Sequence, residues 1–174
     1  MPNTKPVGVA FSDPELTAGT TITGATMDST TLVNSNVRAG FTLAQQGATI
    51  ATTTGGTNDV FVVAPVAGTL SAARFSGVDA LTANDTNYIT FSITNLGTAG
   101  AGSAVMLAAT DANTTKATGG TGLSANTLRT LTLNGTAANL VVAAGDRLRI
   151  RATVSGTLAN TVTFPVYSLN FTVA

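Results

Sequence analysis

The residues that could carry chemistry in this sequence are a few carboxylates, many hydroxyls and a short row of arginines. Histidine and cysteine are both absent, which removes the commonest general base and the thiolate nucleophile. A serine or threonine nucleophile would therefore have to act without a histidine to take its proton. Glu15 is the only glutamate, and no two carboxylates have a spacing that suggests a glycosidase pair. We therefore expect a protein that is not an enzyme and has no catalytic residues.

Three of the six arginines, Arg147, Arg149 and Arg151, alternate with other residues in one short run. Side chains two positions apart on a β-strand point to the same face, so a strand here would present three guanidinium groups together. Guanidinium groups bind carboxylates in a bidentate geometry, which makes this row a candidate contact strip for an acidic partner. The alternative is a solvated strand face, balanced by threonine and aspartate on neighbouring strands, that contributes little to stability.

Asp79, Asn84 and Asp85 fall within one loop-like stretch and carry the oxygen ligands that calcium prefers. Their density is too low for an ion cage, and such side chains also form turns by accepting hydrogen bonds from nearby backbone amides. We favour the turn interpretation and expect no metal site and no cofactor.

Charge is scarce in this sequence, since charged residues make up 9% of the chain and the formal net charge is zero. About one residue in five is threonine, and a surface of hydroxyls allows close packing against neighbouring molecules. No basic stripe is present to neutralise phosphates, and no stretch has the length of a membrane-spanning helix, so neither nucleic acid nor membrane is an expected partner. The first residues lack the pattern of a secretory signal, which predicts synthesis in a host cytoplasm.

Residues 52–174 are predicted to form one all-β domain. Short β-prone runs alternate there with turns rich in glycine, asparagine and aspartate, without a convincing helical pattern. About eight strands require a sandwich or a closed barrel. We favour a jelly-roll β-sandwich, with an immunoglobulin-like sandwich as the alternative. We expect the run 60–64 to be a buried strand and a bulge to interrupt the last run near Tyr167. The predicted strands are 60–64, 69–75, 88–96, 103–110, 127–133, 139–142, 147–154 and 161–173.

Residues 1–51 are predicted to form an anchoring segment ahead of the β domain. Three prolines precede Glu15 and argue for an extended arm, because each proline fixes φ and removes a backbone donor. The apolar residues Val7, Val9 and Phe11 in this arm are the candidates for docking onto another surface. The alternative is a terminus without a fixed conformation.

The most regular feature of the anchoring segment is an apolar residue at every fifth position: Ile22, Met27, Leu32 and Val37. A step of five matches neither the helical period nor the strand period. It resembles the pentapeptide-type and triple-stranded β-helix repeats of phage fibres. Four such repeats are too few to bury their own core, so these residues are expected to pack between chains. The alternative is chance periodicity in a threonine-rich linker.

Two phrases carry a resemblance to a family of proteins. VAAGDRLRIRATVSGT at 142–157 and PVAGTL at 65–70 resemble segments of the jelly rolls of viral and phage virion proteins and of trimeric domains of the tumour-necrosis-factor type. With the five-residue repeat, they make the chain similar to tailed-phage head decoration (cement) proteins and related virion appendages.

That resemblance implies a homotrimeric virion structural protein of the capsid surface. Such a protein binds the major capsid protein from outside the phage head and stabilises the shell. The alternative function is a receptor- or glycan-binding module at the tip of a fibre or tail.

Overall fold

The computed structural model describes residues 40–173, which form an all-β unit, as the sequence predicts. Two short 3-10 turns and no α-helix occur within this range. The strands are β1 Phe41–Gln46, β2 Thr57–Val63, β3 Gly68–Ser76, β4 Tyr88–Asn95, β5 Ala104–Leu107, β6 Arg129–Leu131, β7 Val141–Val142, β8 Arg147–Ser155 and β9 Val166–Thr172.

Strict alternation of residue type explains why the central strands form. In β4, Ile89, Phe91 and Ile93 are fully buried, and the threonines and serine between them face outward. A β-branched or aromatic residue at every second position suits a strand with one buried and one solvated face.

The strands pair as a nested antiparallel ribbon. β1 pairs with β9, β2 with β8, β3 with β6 and β7, and β4 with β5. Additional pairing of β3 with β9 and of β4 with β8 rolls this ribbon into two sheets. One sheet has the order β1-β9-β3-β6, with β7 beside β3, and the other has the order β2-β8-β4-β5.

The core lies between the two sheets and contains three aromatic rings in contact. Phe75 on β3 packs against Phe91 on β4, with 4.6 Å between ring centroids, so this pair joins one sheet to the other. Tyr167 on β9 meets Phe75 edge-on at 5.2 Å. Aromatic contacts of this geometry add to the stabilisation that comes from burying the rings.

The β unit begins earlier than predicted. The chain divides between Asn36 and Val37, and β1, which the sequence analysis placed in the anchoring segment, pairs with β9 along its whole length. Phe41 stacks on Phe171 with 4.6 Å between ring centroids. The local sequence of β1, which ends in two glutamines, does not predict this packing contact.

Two local predictions about the strands are wrong. The run 60–64 is not buried throughout, because Phe61 and Val63 face solvent and only the alternate residues face the core. The register shifts on β3, between Leu70 and Ala72, and in the β4–β5 pair, between Ile93 and Thr94, whereas β9 pairs regularly with β1. On β9 the buried residues Tyr167, Leu169 and Phe171 stand at every second position without interruption. Phe164, which lies before the strand, points away from the core.

Tyr167→Phe is expected to raise the free energy of unfolding by about 1 kcal/mol, because the buried Tyr167 hydroxyl has no hydrogen-bond partner among the described residues. Burial, with a smaller contribution from the charge of Asp59, raises the pKa of Tyr167 above its ordinary value. The unfolded chain therefore ionises first, so wild-type stability falls above about pH 10 and the advantage of the variant grows there. Urea unfolding at pH 7 and pH 10.5 measures both effects, with the half-buried Tyr88→Phe as control. A destabilised Tyr167→Phe protein would show that the hydroxyl has a partner.

Candidate functional site

The candidate site is the outward side of β8 and of its neighbour β2. Along β8 the residues Leu148, Ile150, Ala152 and Val154 are buried, so the alternate residues point away from the core. The structure therefore places Arg147, Arg149 and Arg151 on one outward face. We call this surface the arginine face: Arg147, Arg149 and Arg151 on β8 with Asp59, Phe61 and Val63 on β2.

Arg151 is neutralised within the chain. The register of β2 on β8 sets Asp59 directly opposite Arg151, and the guanidinium donates from Nε and Nη2 to the two carboxylate oxygens, each at 2.6 Å. These hydrogen bonds lower the pKa of Asp59, and the charges of Arg151 and Arg149 lower it further. For Arg151, the geometry therefore supports the interpretation of a charge that is balanced by a neighbouring strand, not that of a contact for an acidic partner.

Arg147 and Arg149 have no carboxylate partner in the part of the chain that the structure describes. The Arg147 guanidinium lies over the Phe61 ring, 5.4 Å from its centroid, a distance at which a cation attracts the face of the ring. Arg149 sits opposite Phe61 in the ladder, and its Nε is buried without a hydrogen-bond acceptor among residues 40–173. The three guanidinium groups therefore differ in how much of their charge and hydrogen-bonding capacity is paired within the domain.

The arginine face also exposes large apolar side chains. Phe61 is 48% exposed and Val63 is 55% exposed, side by side on the outward face of an edge strand of the four-stranded sheet. Aromatic rings and arginines are the residues that protein–protein interfaces favour at their centres. The arrangement suits binding of another protein surface, with apolar burial beside charge-assisted hydrogen bonds.

In the stretch considered for calcium, Asn84 forms a turn as predicted, whereas Asp79 and Asp85 bond to threonines that are distant in sequence. Asp79 accepts hydrogen bonds from the backbone amide and the hydroxyl of Thr163 at 2.7 and 2.6 Å. Asp85 accepts the same pair of bonds from Thr118 at 2.8 and 3.0 Å. Bonds from the Thr163 hydroxyl and amide lower the pKa of Asp79, and those from the Thr118 amide and hydroxyl lower that of Asp85. The side-chain oxygen Oδ1 of Asn84 accepts hydrogen bonds from the backbone amides of Thr86 and Asn87 in its own turn.

A second exposed apolar patch lies at the ends of three loops and was missed in the sequence analysis. Val78, Leu128 and Phe164 are all exposed, Phe164 by 62%, and backbone hydrogen bonds join their loops. Phe164 has a φ of +47°, a conformation that bulky residues rarely adopt. The only sequence signal is that Phe164 precedes Pro165, which restricts its backbone.

The candidate residues of the anchoring segment lie outside the described residues, and so does the five-residue repeat. These are Val7, Val9 and Phe11 for docking, and Ile22, Met27, Leu32 and Val37 for packing between chains. Within residues 40–173, helices long and apolar enough to span a membrane are not found.

No protein-family model, curated protein or solved structure matches this chain. The geometry of the described residues and the sequence are therefore the basis for a functional proposal.

Asp59→Asn is expected to lower the free energy of unfolding at pH 7 by about 0.5–1 kcal/mol, because the ion pair that it removes is partly exposed. The pKa of Asp59 is lower in the folded state, so the pair stabilises above the unfolded-state pKa of about 4 and this contribution is lost as the pH falls. Urea unfolding at pH 7 and pH 2.5 tests this, with Asp59→Asn and wild type converging at the lower pH. An equal difference at both pH values would contradict the assignment of the effect to the carboxylate.

Proposed function

We propose that this chain is a virion structural protein, a decoration or cement protein that binds the outside of a phage head and stabilises the shell. The observation that carries the proposal is the arginine face, where exposed Phe61 and Val63 lie beside Arg149 and Arg147 in the strand register. On a chain with so few charges, a sheet face of this composition is suited to lie against a larger protein surface.

The strand pairing supports a jelly-roll domain within this proposal. A jelly roll is a long antiparallel ribbon rolled into two four-stranded sheets, and the nested pairs β1·β9, β2·β8, β3·β6 and β4·β5 follow that plan. The orders β1-β9-β3-β6 and β2-β8-β4-β5 are those that rolling the ribbon produces. Double-sheet jelly rolls are common in viral capsid proteins and in lectins.

A small cleft lies among the described residues. The cleft lined by Leu81, Asn84, Asn87 and Thr157 has a volume of about 140 Å³, and none of its lining residues is titratable at neutral pH. Ligand pockets of enzymes are usually about 300–1,000 Å³ and contain a few convergent polar groups. The role that we propose is mechanical.

In this mechanism, the residues before β1 anchor the protein and the β domain stands on the shell. Val7, Val9 and Phe11 dock onto the major capsid protein, and the five-residue repeat packs between the chains of a homotrimer. Apolar area buried across capsid boundaries stabilises the shell by roughly 25 cal/mol per Å², before the cost of association is subtracted.

Deleting residues 1–36 tests the anchoring role, because the deletion leaves the β unit from Val37 onward intact. We expect the truncated protein to keep the circular dichroism spectrum of a β protein and to lose co-sedimentation with phage heads that have been stripped of this protein. A matched triple substitution, Val7, Val9 and Phe11 to serine, separates docking from trimer formation, which light scattering measures. Undiminished head binding by the truncated protein would contradict the anchoring role.

Phe164 favours a second candidate function, a glycan-binding tip. An exposed aromatic ring can stack on a sugar, and neighbouring Asp79, bonded to Thr163 through one oxygen, has its second oxygen as an acceptor for sugar hydroxyls. Binding of the wild type to a glycan array, lost in Phe164→Ala and kept in Phe61→Ala, would favour this function. Absence of glycan binding would remove it.

A further inference from the structure

We propose that Arg147 and Arg149, together with Phe61 and Val63, bind an acidic extended segment of a partner protein, one that presents two carboxylates on alternate residues. Arg151 takes no part. The inference rests on the proposed function in that it describes the surface by which the protein would meet its partner.

The first reason is the distribution of charge on the arginine face. It contains three guanidinium groups and one carboxylate, and both oxygens of that carboxylate are bound by Arg151. Arg147 and Arg149 therefore leave the face with an excess of positive charge. A guanidinium gains most from a carboxylate that accepts two parallel hydrogen bonds.

The second reason is the unpaired, buried Nε donor of Arg149. Its Nε donor is shielded from water and has no acceptor within the described residues, and a covered but unpaired donor costs free energy. A partner carboxylate that draws this guanidinium into a hydrogen bond removes that cost, so Arg149 gains more from an acidic partner than a fully solvated arginine would.

The third reason is spacing. Arg147 and Arg149 are two residues apart on a regular strand, so their backbone positions are about 7 Å apart. Carboxylates on alternate residues of an extended partner segment have the same separation. Phe61 and Val63 lie beside the two arginines with matching spacing on β2 and would cover apolar side chains of that segment.

The fourth reason concerns the source of the carboxylates. All five in the described range already accept hydrogen bonds: Asp59 from Arg151, Asp79 from Thr163, Asp85 from Thr118, Asp111 from Lys116, and Asp146 from Asn95. No two of them stand on alternate residues, so a second copy of the β unit offers no strand with two carboxylates at this spacing. We assign the segment to a partner protein rich in aspartate or glutamate on the ground of charge complementarity.

The test uses the full chain and two synthetic peptides, LTDTDTL and its neutral counterpart LTNTNTL. We expect the wild type to bind the aspartate peptide at least about tenfold more tightly than the asparagine peptide, as charge-assisted hydrogen bonds imply. Raising the salt concentration from 0.05 to about 1 M should remove most of the difference, because ions screen exposed charges. Fluorescence anisotropy of labelled peptides measures both effects.

The variants separate the loss of Arg147 and Arg149 from the loss of charge elsewhere on the domain. Arg147→Gln with Arg149→Gln should abolish the preference for the aspartate peptide. Arg74→Gln, on the outward face of the other sheet, should keep it. The pair Asp59→Asn with Arg151→Gln, which leaves the net charge unchanged, should also keep it. Circular dichroism checks that each variant is folded.

Equal affinity for the two peptides, no binding of either peptide up to about 1 mM, or an unchanged preference after loss of Arg147 and Arg149 would each overturn the inference. Binding to phage heads distinguishes failure of this inference from failure of the proposed function. Heads that bind wild type and the double variant equally would leave the decoration role standing and sink the inference. Peptide binding as expected, without any binding to heads, would support the inference and contradict the decoration role.

Discussion

Phe75→Ala should lower the free energy of unfolding by about 3–5 kcal/mol, the largest loss that we expect from one substitution. Phe75 is fully buried and contacts Phe91 in the opposite sheet and Tyr167 in its own sheet. Alanine removes the ring that joins the two sheets and leaves a cavity that neighbouring strands cannot fill without breaking their ladders. Urea unfolding followed by circular dichroism measures the loss.

The matched control is Phe164→Ala, since the same atoms are removed from a side chain that is 62% exposed. Its effect should stay within about 0.5 kcal/mol. If Phe75→Ala does not fold, Phe75→Leu provides a smaller cavity and a measurable, intermediate loss. Equal effects of the two alanine substitutions would contradict the placement of the core between the sheets.

Asp146→Ala has the second largest expected effect, a loss of about 2–4 kcal/mol. Asp146 is buried at the turn before β8. Its carboxylate accepts hydrogen bonds from the Asn95 side chain at 2.7 Å and from the Ala143 amide at 2.8 Å. Alanine leaves both donors without this acceptor in a place that water reaches poorly, and the turn that aligns β8 keeps only its backbone bond from the Asp146 amide to the Ala143 carbonyl.

Asp85→Ala is the control for Asp146→Ala. Asp85 also accepts two hydrogen bonds, from Thr118, but at an exposed site where water can replace the lost acceptor. Thermal or urea unfolding should therefore show a much smaller loss for Asp85→Ala. A loss as large as that of Asp146→Ala would mean that burial does not set the cost.

The parts of the fold that could be predicted are those with strict alternation. Strands β4 and β8 have buried residues at every second position, and the Ala-Gly-Asp turn before β8 follows from Gly145, whose φ is +86°, and from Asp146. Strand β1 was missed because its Gln45 and Gln46 resemble a connector. It forms a strand because β9 offers a complete ladder, which local sequence does not reveal.

The candidate site was predictable in its positions but not in its balance of charge. Alternation placed Arg147, Arg149 and Arg151 on one face. The pairing of Arg151 with Asp59 depends on the register between strands that are 92 residues apart in sequence. The exposure of Phe61 depends on which face of β2 meets the core, and the run 60–64 is too uniformly apolar to reveal it.

The central claim, that this is a structural protein held on the outside of a phage head, is tested most directly by cryo-electron microscopy of the intact particle. We predict density for the β domain at three-fold or quasi-three-fold positions of the head. Density confined to the tip of the tail or of a fibre would contradict the claim and favour the receptor- or glycan-binding alternative. Particles that lack the protein altogether would contradict both.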